Sequence, residues 1–198
     1  NGEKMSKSLG NFFTIREVLE KYHPEVVRYL LVASHYRSPI NYSEDNLRES
    51  KAALERFYNA LKGLPVAEPA AAEEFVARFT VAMDDDFNTA GACSVLFEMA
   101  REVNRLRDSD TQAAAALAAR LKSLAALLGV LQLAPEAFLQ ADAAGRVDAA
   151  AVETLIEARL AARAAKDWTA SDQIRDQLAA MGVLLEDAKG VTTWRLAD

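Results

Sequence analysis

Apolar residues return at three- and four-residue intervals along most of this chain, and that spacing limits its fold more than any other feature. In 111–128 the seam Leu117, Leu121, Leu124 and Leu128 lines one face of a helix, and Gly129 follows where a left-handed cap is wanted. Residues 89–106 repeat the pattern with Ala92, Val95, Leu96, Met99, Val103 and Leu106, with Thr89 expected as the cap. Leu47, Ser50, Leu54, Phe57 and Leu61 form a third stripe, opened by Ser43 as N-cap and closed by Gly63. Each stripe has to bury itself against another helix. The expected fold is therefore mainly α, an antiparallel bundle of four or five helices.

Shorter signals complete the outline. Thr14 and Glu17 fit a capping box that opens a short helix through about Tyr22, and Pro24 suits the first turn of a second helix. That second helix is expected to run to about Tyr36 or Arg37, stopped by Ser38-Pro39. Residues 63–73 hold two prolines and little to bury, and read as a linker before a helix from Glu73 to near Met83. A second linker is expected over 141–148. Beyond it the character changes to a small α+β unit. Val152, Leu155, Ile156 and Leu160 line one helix, while Ile174 and Leu178 line another that Gly182 stops. Val183–Glu186 and Val191–Arg195 are expected to form a hairpin joined by Asp187-Ala188-Lys189-Gly190.

Charge and cysteine content exclude some functions. The net charge of −6 argues against a broad basic surface for nucleic acid. The acid excess is uneven: residues 1–62 hold ten Lys/Arg against eight acids, 63–148 seven against thirteen, and 149–198 six against eight. Any contact with RNA should then concentrate at the two ends. One cysteine, Cys93, permits no internal disulfide and no cysteine-based metal cluster, and is expected as a small buried apolar residue. No apolar run approaches the ~20 residues of a membrane span, and the first residues are polar, so a cytoplasmic protein without membrane contact is expected.

The chemistry-bearing motif lies at the amino end. Lys4-Met5-Ser6-Lys7-Ser8, followed by Leu9-Gly10-Asn11, sets two lysines on a Ser/Gly-rich loop. Hydroxyls and backbone N–H groups there suit phosphate oxygens, and each ammonium is a flexible point charge able to follow charge onto a leaving pyrophosphate.

This loop resembles the KMSKS loop of class I aminoacyl-tRNA synthetases. With Val27-Arg28-Tyr29, His35-Tyr36-Arg37-Ser38, Asn41-Tyr42-Ser43, Met83 to Thr89, Ala165-Lys166-Asp167-Trp168 and Thr192-Thr193-Trp194-Arg195 in that order, the chain is similar to the C-terminal part of the cysteine–tRNA ligase family. The resemblance implies the end of a catalytic domain over 1–22, a DALR-type helical domain over 23–140, and an anticodon-binding domain over 149–198. It implies that Lys7 and Lys4 are catalytic and that Lys4, Met5, Ser6, Lys7 and Ser8 bind ATP. It further implies that Arg163, Trp168, Asp172 and Asp187 bind the anticodon, and that Arg28 and Arg37 contact the tRNA stem. The implied partners are tRNA(Cys), ATP with Mg2+ and L-cysteine, and the enzyme is expected to be a monomer.

Other parts of such an enzyme are missing from the sequence. No His-x-Gly-His motif is present, and one cysteine cannot rebuild the family's zinc site. The Rossmann catalytic domain and the zinc are thus expected mostly outside this chain, and no metal within it. An inactive tRNA-binding fragment, or a related ligase joining cysteine to a small amine, are the alternatives. His23 and His35 lack partners at useful spacing and are expected to be structural. Asp84-Asp85-Asp86 reads as a helix-capping turn with acids near a helix N-terminus rather than as a divalent-cation site. An unstacked base would meet Trp168 if the helix breaks around Asp167 to Thr169, whereas Trp194 is expected to anchor the core.

Overall fold

The computed structural model describes residues 14–140, 149–188 and 191–196. The chain divides into two compact units, Asn1–Glu136 and Ala137–Asp198. In the first the elements are α1 (Ile15–Leu19), α2 (Pro24–Val32), α3 (Glu44–Leu61), α4 (Glu73–Asp84), α5 (Thr89–Leu106) and α6 (Thr111–Leu127), and α7 (Pro135–Leu139) straddles the division. The second holds α8 (Ala149–Ala164), α9 (Trp168–Ala180), β1 (Val183–Ala188) and β2 (Val191–Leu196).

Helix α5 packs on α3, α4 and α6, and α3 packs on α2. The expected stripes are what they bury: Leu47, Leu54 and Phe57 from α3, Leu96, Met99 and Val103 from α5, and Leu121 from α6. Phe57 also stacks on Phe97 with ring centres 4.2 Å apart. Cys93 lies within this core, where burial pushes its thiol up to about 11. It is an inert filler rather than a nucleophile.

Side chains close the helix ends. The Thr14–Glu17 capping box is complete, and Ser43 Oγ accepts from the Asn46 N–H. Arg107 donates to the carbonyls of Lys62 and Ala60, satisfying the last turn of α3. The linker before α4 has no capping side chain. Instead Arg120 Nε donates to the Ala70 carbonyl, and the Ala70 N–H donates to Ala116 on α6. Gly129 has φ +70°, and a Cβ there would stand 2.9 Å from Arg28 Nη1, so glycine is required by conformation and by space.

Three expectations are corrected. Helix α2 ends at Val32, not Tyr36 or Arg37, because the chain turns at 35–38 with the Ser38 N–H donating to His35 O at 2.8 Å. Asn88, not Thr89, caps α5, its Oδ1 accepting from Gly91 N–H at 2.9 Å. Asp187 and Ala188 belong to β1 rather than to the turn, paired antiparallel with Thr192 and Val191.

Candidate functional site

The C-terminal unit has a small core: Val152 and Ile156 of α8, Leu178 of α9, Val183 of β1 and Trp194 of β2. Trp194 is 2% exposed, and its Nε1 donates to Glu153 at 2.8 Å, making it the expected anchor. Strand alternation then sends Asp187 to a cluster beside α8. Arg159 grips it with both terminal nitrogens, Nη1 to Oδ1 at 3.1 Å and Nη2 to Oδ2 at 2.9 Å. Thr192, its register partner, donates to Oδ1 at 2.6 Å, and Arg163 Nη1 donates to Oδ2 at 3.1 Å. Residues 159 and 163 lie one turn apart, so both guanidinium groups reach the same carboxylate. Hydrogen bonds from Arg159 and then Thr192 hold the Asp187 carboxyl well below the usual carboxylate range. It is an acceptor at any physiological pH.

Trp168 opens α9, with Asp167 as N-cap accepting from the Ala170 N–H at 3.0 Å. Lys166, at φ +60°, lies in the break between α8 and α9, which falls over 165–167, so Trp168 and Thr169 are helical and the break comes earlier than the stretch Asp167 to Thr169 considered from the sequence. The indole is 60% exposed, unusual for tryptophan and suited to stacking on a planar ligand. Asp172 binds Arg175 at 3.1 Å and adds to the negative field felt by Arg159. Of the four residues expected to read the anticodon, Arg163 and Asp187 are therefore in direct contact, while Asp172 is engaged elsewhere. Sequence reasoning missed Arg159. Its position four residues before Arg163 was the available signal, and its burial was not visible.

In the bundle unit Arg28 is exposed on α2 and lies against Gly129. Arg37 is not on that helix; its Nε sits 3.0 Å from Asp86 Oδ2, and Tyr36 donates to Asp86 Oδ1 at 2.8 Å. The acidic run is thus not chiefly an N-terminal cap. Asp84 ends α4, Asp85 follows as its C-cap, and Asp86, at φ +52°, ties the α4–α5 turn to the turn after α2. His23 caps α2 through Nδ1, which accepts from Glu25 N–H, and His35 Nδ1 accepts from Arg37 N–H. Both act structurally.

A second residue the sequence did not reveal is Glu25, an acid in the first turn of α2 that is buried. Tyr58 donates to it at 2.9 Å and the Leu131 N–H at 2.8 Å, while Leu133 N–H reaches the Tyr58 oxygen at 3.3 Å. Burial, with Glu25 beside it, raises the Tyr58 phenol far above its ordinary range. The group is a closed structural clasp. The loop Lys4 to Ser8, with the roles expected of it, lies outside the described residues. Among the described residues no group of three or more His, Cys, Asp or Glu is placed to hold a metal ion. None of their helices is long and apolar enough to cross a membrane.

Comparison with known families accounts for most of the chain. Residues 1–52 match the model of the class I (C) tRNA synthetase catalytic domain, 78–132 the DALR domain, and 149–195 the cysteinyl-tRNA ligase anticodon-binding domain. Three such matches in that order liken the chain to class I aminoacyl-tRNA synthetases. All 198 residues align with the cysteine–tRNA ligase of Pseudomonas aeruginosa at 83% identity, with that of Azotobacter vinelandii at 79%, and with that of Pseudomonas syringae pv. syringae at 78%. In each case the alignment spans 43% of the relative's length. Along its whole length the chain is similar to the C-terminal part of cysteine–tRNA ligases.

Proposed function

We propose that the protein containing this chain attaches L-cysteine to tRNA(Cys) at the expense of ATP, through a cysteinyl adenylate. The observation that carries this reading is the 83% identity over every residue, with a catalytic-domain match at one end and an anticodon-binding match at the other. In the first step the cysteine carboxylate attacks the α-phosphorus and the bond to pyrophosphate breaks. In the second a terminal ribose hydroxyl of tRNA attacks the acyl carbon and AMP leaves. Little of this is covalent work for the protein, so positioning and charge stabilisation dominate.

In this reading Lys7 and Lys4 neutralise the departing pyrophosphate, with Met5, Ser6 and Ser8 completing the ATP-binding loop. Residues 1–22 close the catalytic domain, 23–140 meet the tRNA stem with Arg28 and Arg37, and 141–148 link to an anticodon reader over 149–198. There Trp168 stacks on an unpaired base while Arg163, Asp172 and Asp187 meet base edges. The exposed Trp168 and the charged, accepting Asp187 carboxylate, both in the C-terminal unit, support this assignment. Mg2+ would accompany ATP. One cysteine cannot rebuild the family's zinc site, so zinc would be held by another part of the enzyme. The proposed enzyme is a cytoplasmic monomer.

The test is Lys7→Ala in the full-length enzyme. Charging should slow by about 10²–10³-fold, the loss typical when one donor aimed at developing charge is removed. An unaltered rate would overturn the role of the loop. A second reading concerns these 198 residues alone, favoured by their 43% coverage of the relatives: they bind tRNA without activating cysteine. A ligase acting on a small amine is disfavoured by the anticodon-domain match over 149–195.

A further inference from the structure

Asp187 offers two lone pairs on each carboxylate oxygen, and four donors already fill them: Arg159 Nη1 and Thr192 on Oδ1, Arg159 Nη2 and Arg163 on Oδ2. A base amino group can reach this carboxylate only if one donor leaves. The donors differ in freedom. The Arg159 side chain is 9% exposed and Thr192 is held opposite Asp187 by strand register, whereas Arg163 is 44% exposed. An exposed ion pair exchanges readily with water and ligand, and an enclosed one does not.

Arg159 also carries a cost. Its Nε is buried and has no hydrogen-bond partner. An unpaired buried donor weakens a fold, and an apolar side chain of similar volume would often serve stability as well or better. What an apolar residue could not provide is a fixed fork matched to a carboxylate.

We propose that Arg159 is a positioning residue for anticodon recognition: it keeps Asp187 oriented and compensated while Arg163 exchanges off Oδ2, leaving that oxygen to accept from a base amino group. The released Arg163 guanidinium then donates to the same nucleotide. This deepens the anticodon assignment of Asp187 and Arg163 and rests on it. Arg159 itself need not touch RNA.

The experiment measures charging by the full-length enzyme of cognate tRNA(Cys) and of three tRNAs, each with one anticodon base replaced. Wild type, Asp187→Asn, Arg159→Met, Arg159→Lys and the Asp187→Asn/Arg159→Met double variant are compared, and thermal melting checks folding. Arg159→Met should lose discrimination at the same base as Asp187→Asn, by about ten- to hundredfold, the usual worth of one base contact. Arg159→Lys, with the charge but not the fork, should fall between, and the double variant should be no worse than Asp187→Asn alone. If Arg159→Met does not fold, Arg159→Lys carries the test. A uniform loss on all four tRNAs would mean a merely structural role and overturn the proposal. Discrimination lost in Asp187→Asn but kept in full by both Arg159 variants would overturn it and leave the anticodon reading intact. A wild type indifferent to every replacement would remove the anticodon reading itself.

Discussion

In the bundle unit Glu25 is 6% exposed and its donors are neutral, a tyrosine hydroxyl and a backbone N–H. In the C-terminal unit Asp187 is 44% exposed at its side chain and its donors include two guanidinium groups. Glu25 sits where α2, α3 and the segment after α6 converge, beside a broad apolar core, so its bonds close a junction that packing has already made. Asp187 stands on a two-stranded hairpin over five core residues, where little packing is available and polar contacts must set side-chain geometry. Arg107 and Arg120 satisfy backbone carbonyls in the bundle, while Arg159 and Arg163 converge on one carboxylate. A buried polar group with fixed neutral partners is mortar, whereas Asp187, with the exposed Arg163 among its donors, is the carboxylate proposed to bind.

Tyr58→Phe should give the largest effect. It strips Glu25 of its hydroxyl donor and leaves Leu133 N–H without that acceptor, costing about 2 kcal/mol. Urea unfolding followed by far-ultraviolet circular dichroism, dominated by the helical bundle, would show it, and an unmoved midpoint would break the claim that Glu25 is structural. Glu153→Ala should cost about 1 kcal/mol by orphaning the buried Trp194 Nε1. Both tryptophans, Trp168 and Trp194, belong to the C-terminal unit, so fluorescence reports on that unit in particular. A shift seen by dichroism but not by fluorescence would contradict the assignment.

The smallest effect is the acid response of Asp187. Its folded carboxyl titrates below the ordinary unfolded value of about 3.9, so its stabilisation is complete above that value and is lost as pH falls through the folded one. Asp187→Asn should melt below the parent at pH 6, with a gap that narrows below about pH 4. A gap of constant size down to pH 2 would mean that the Arg159 and Thr192 bonds do not set its titration. The exposure of the side chain is why this effect ranks last.

The bundle was more legible in the sequence than the candidate site. Ser43, Gly63 and Gly129 marked helix ends, and Leu47, Leu54, Met99 and Leu121 marked faces, because caps and 3.6-residue periods depend on near neighbours. The errors came at ends decided from elsewhere. Tyr36 and Arg37 leave the helix and meet Asp86, about fifty residues on, in a contact no local pattern encodes. In the C-terminal unit the two helices and the hairpin were readable, yet Asp187, a poor strand former, was expected in the joining turn. Cross-strand pairing with Thr192 overrode that preference.

The amino-acid order alone settled the helical class, the helix faces, the caps Thr14 and Ser43, and the family the chain resembles, since all of these are written in spacing and in residue identity. Partnership was decided only in three dimensions. Leu131 reaches Glu25 across 106 residues and Arg159 reaches Asp187 across 28, and neither pairing has a period or a motif. Local spacing selects backbone conformation, but the donor that meets a given carboxylate is chosen by how whole elements pack.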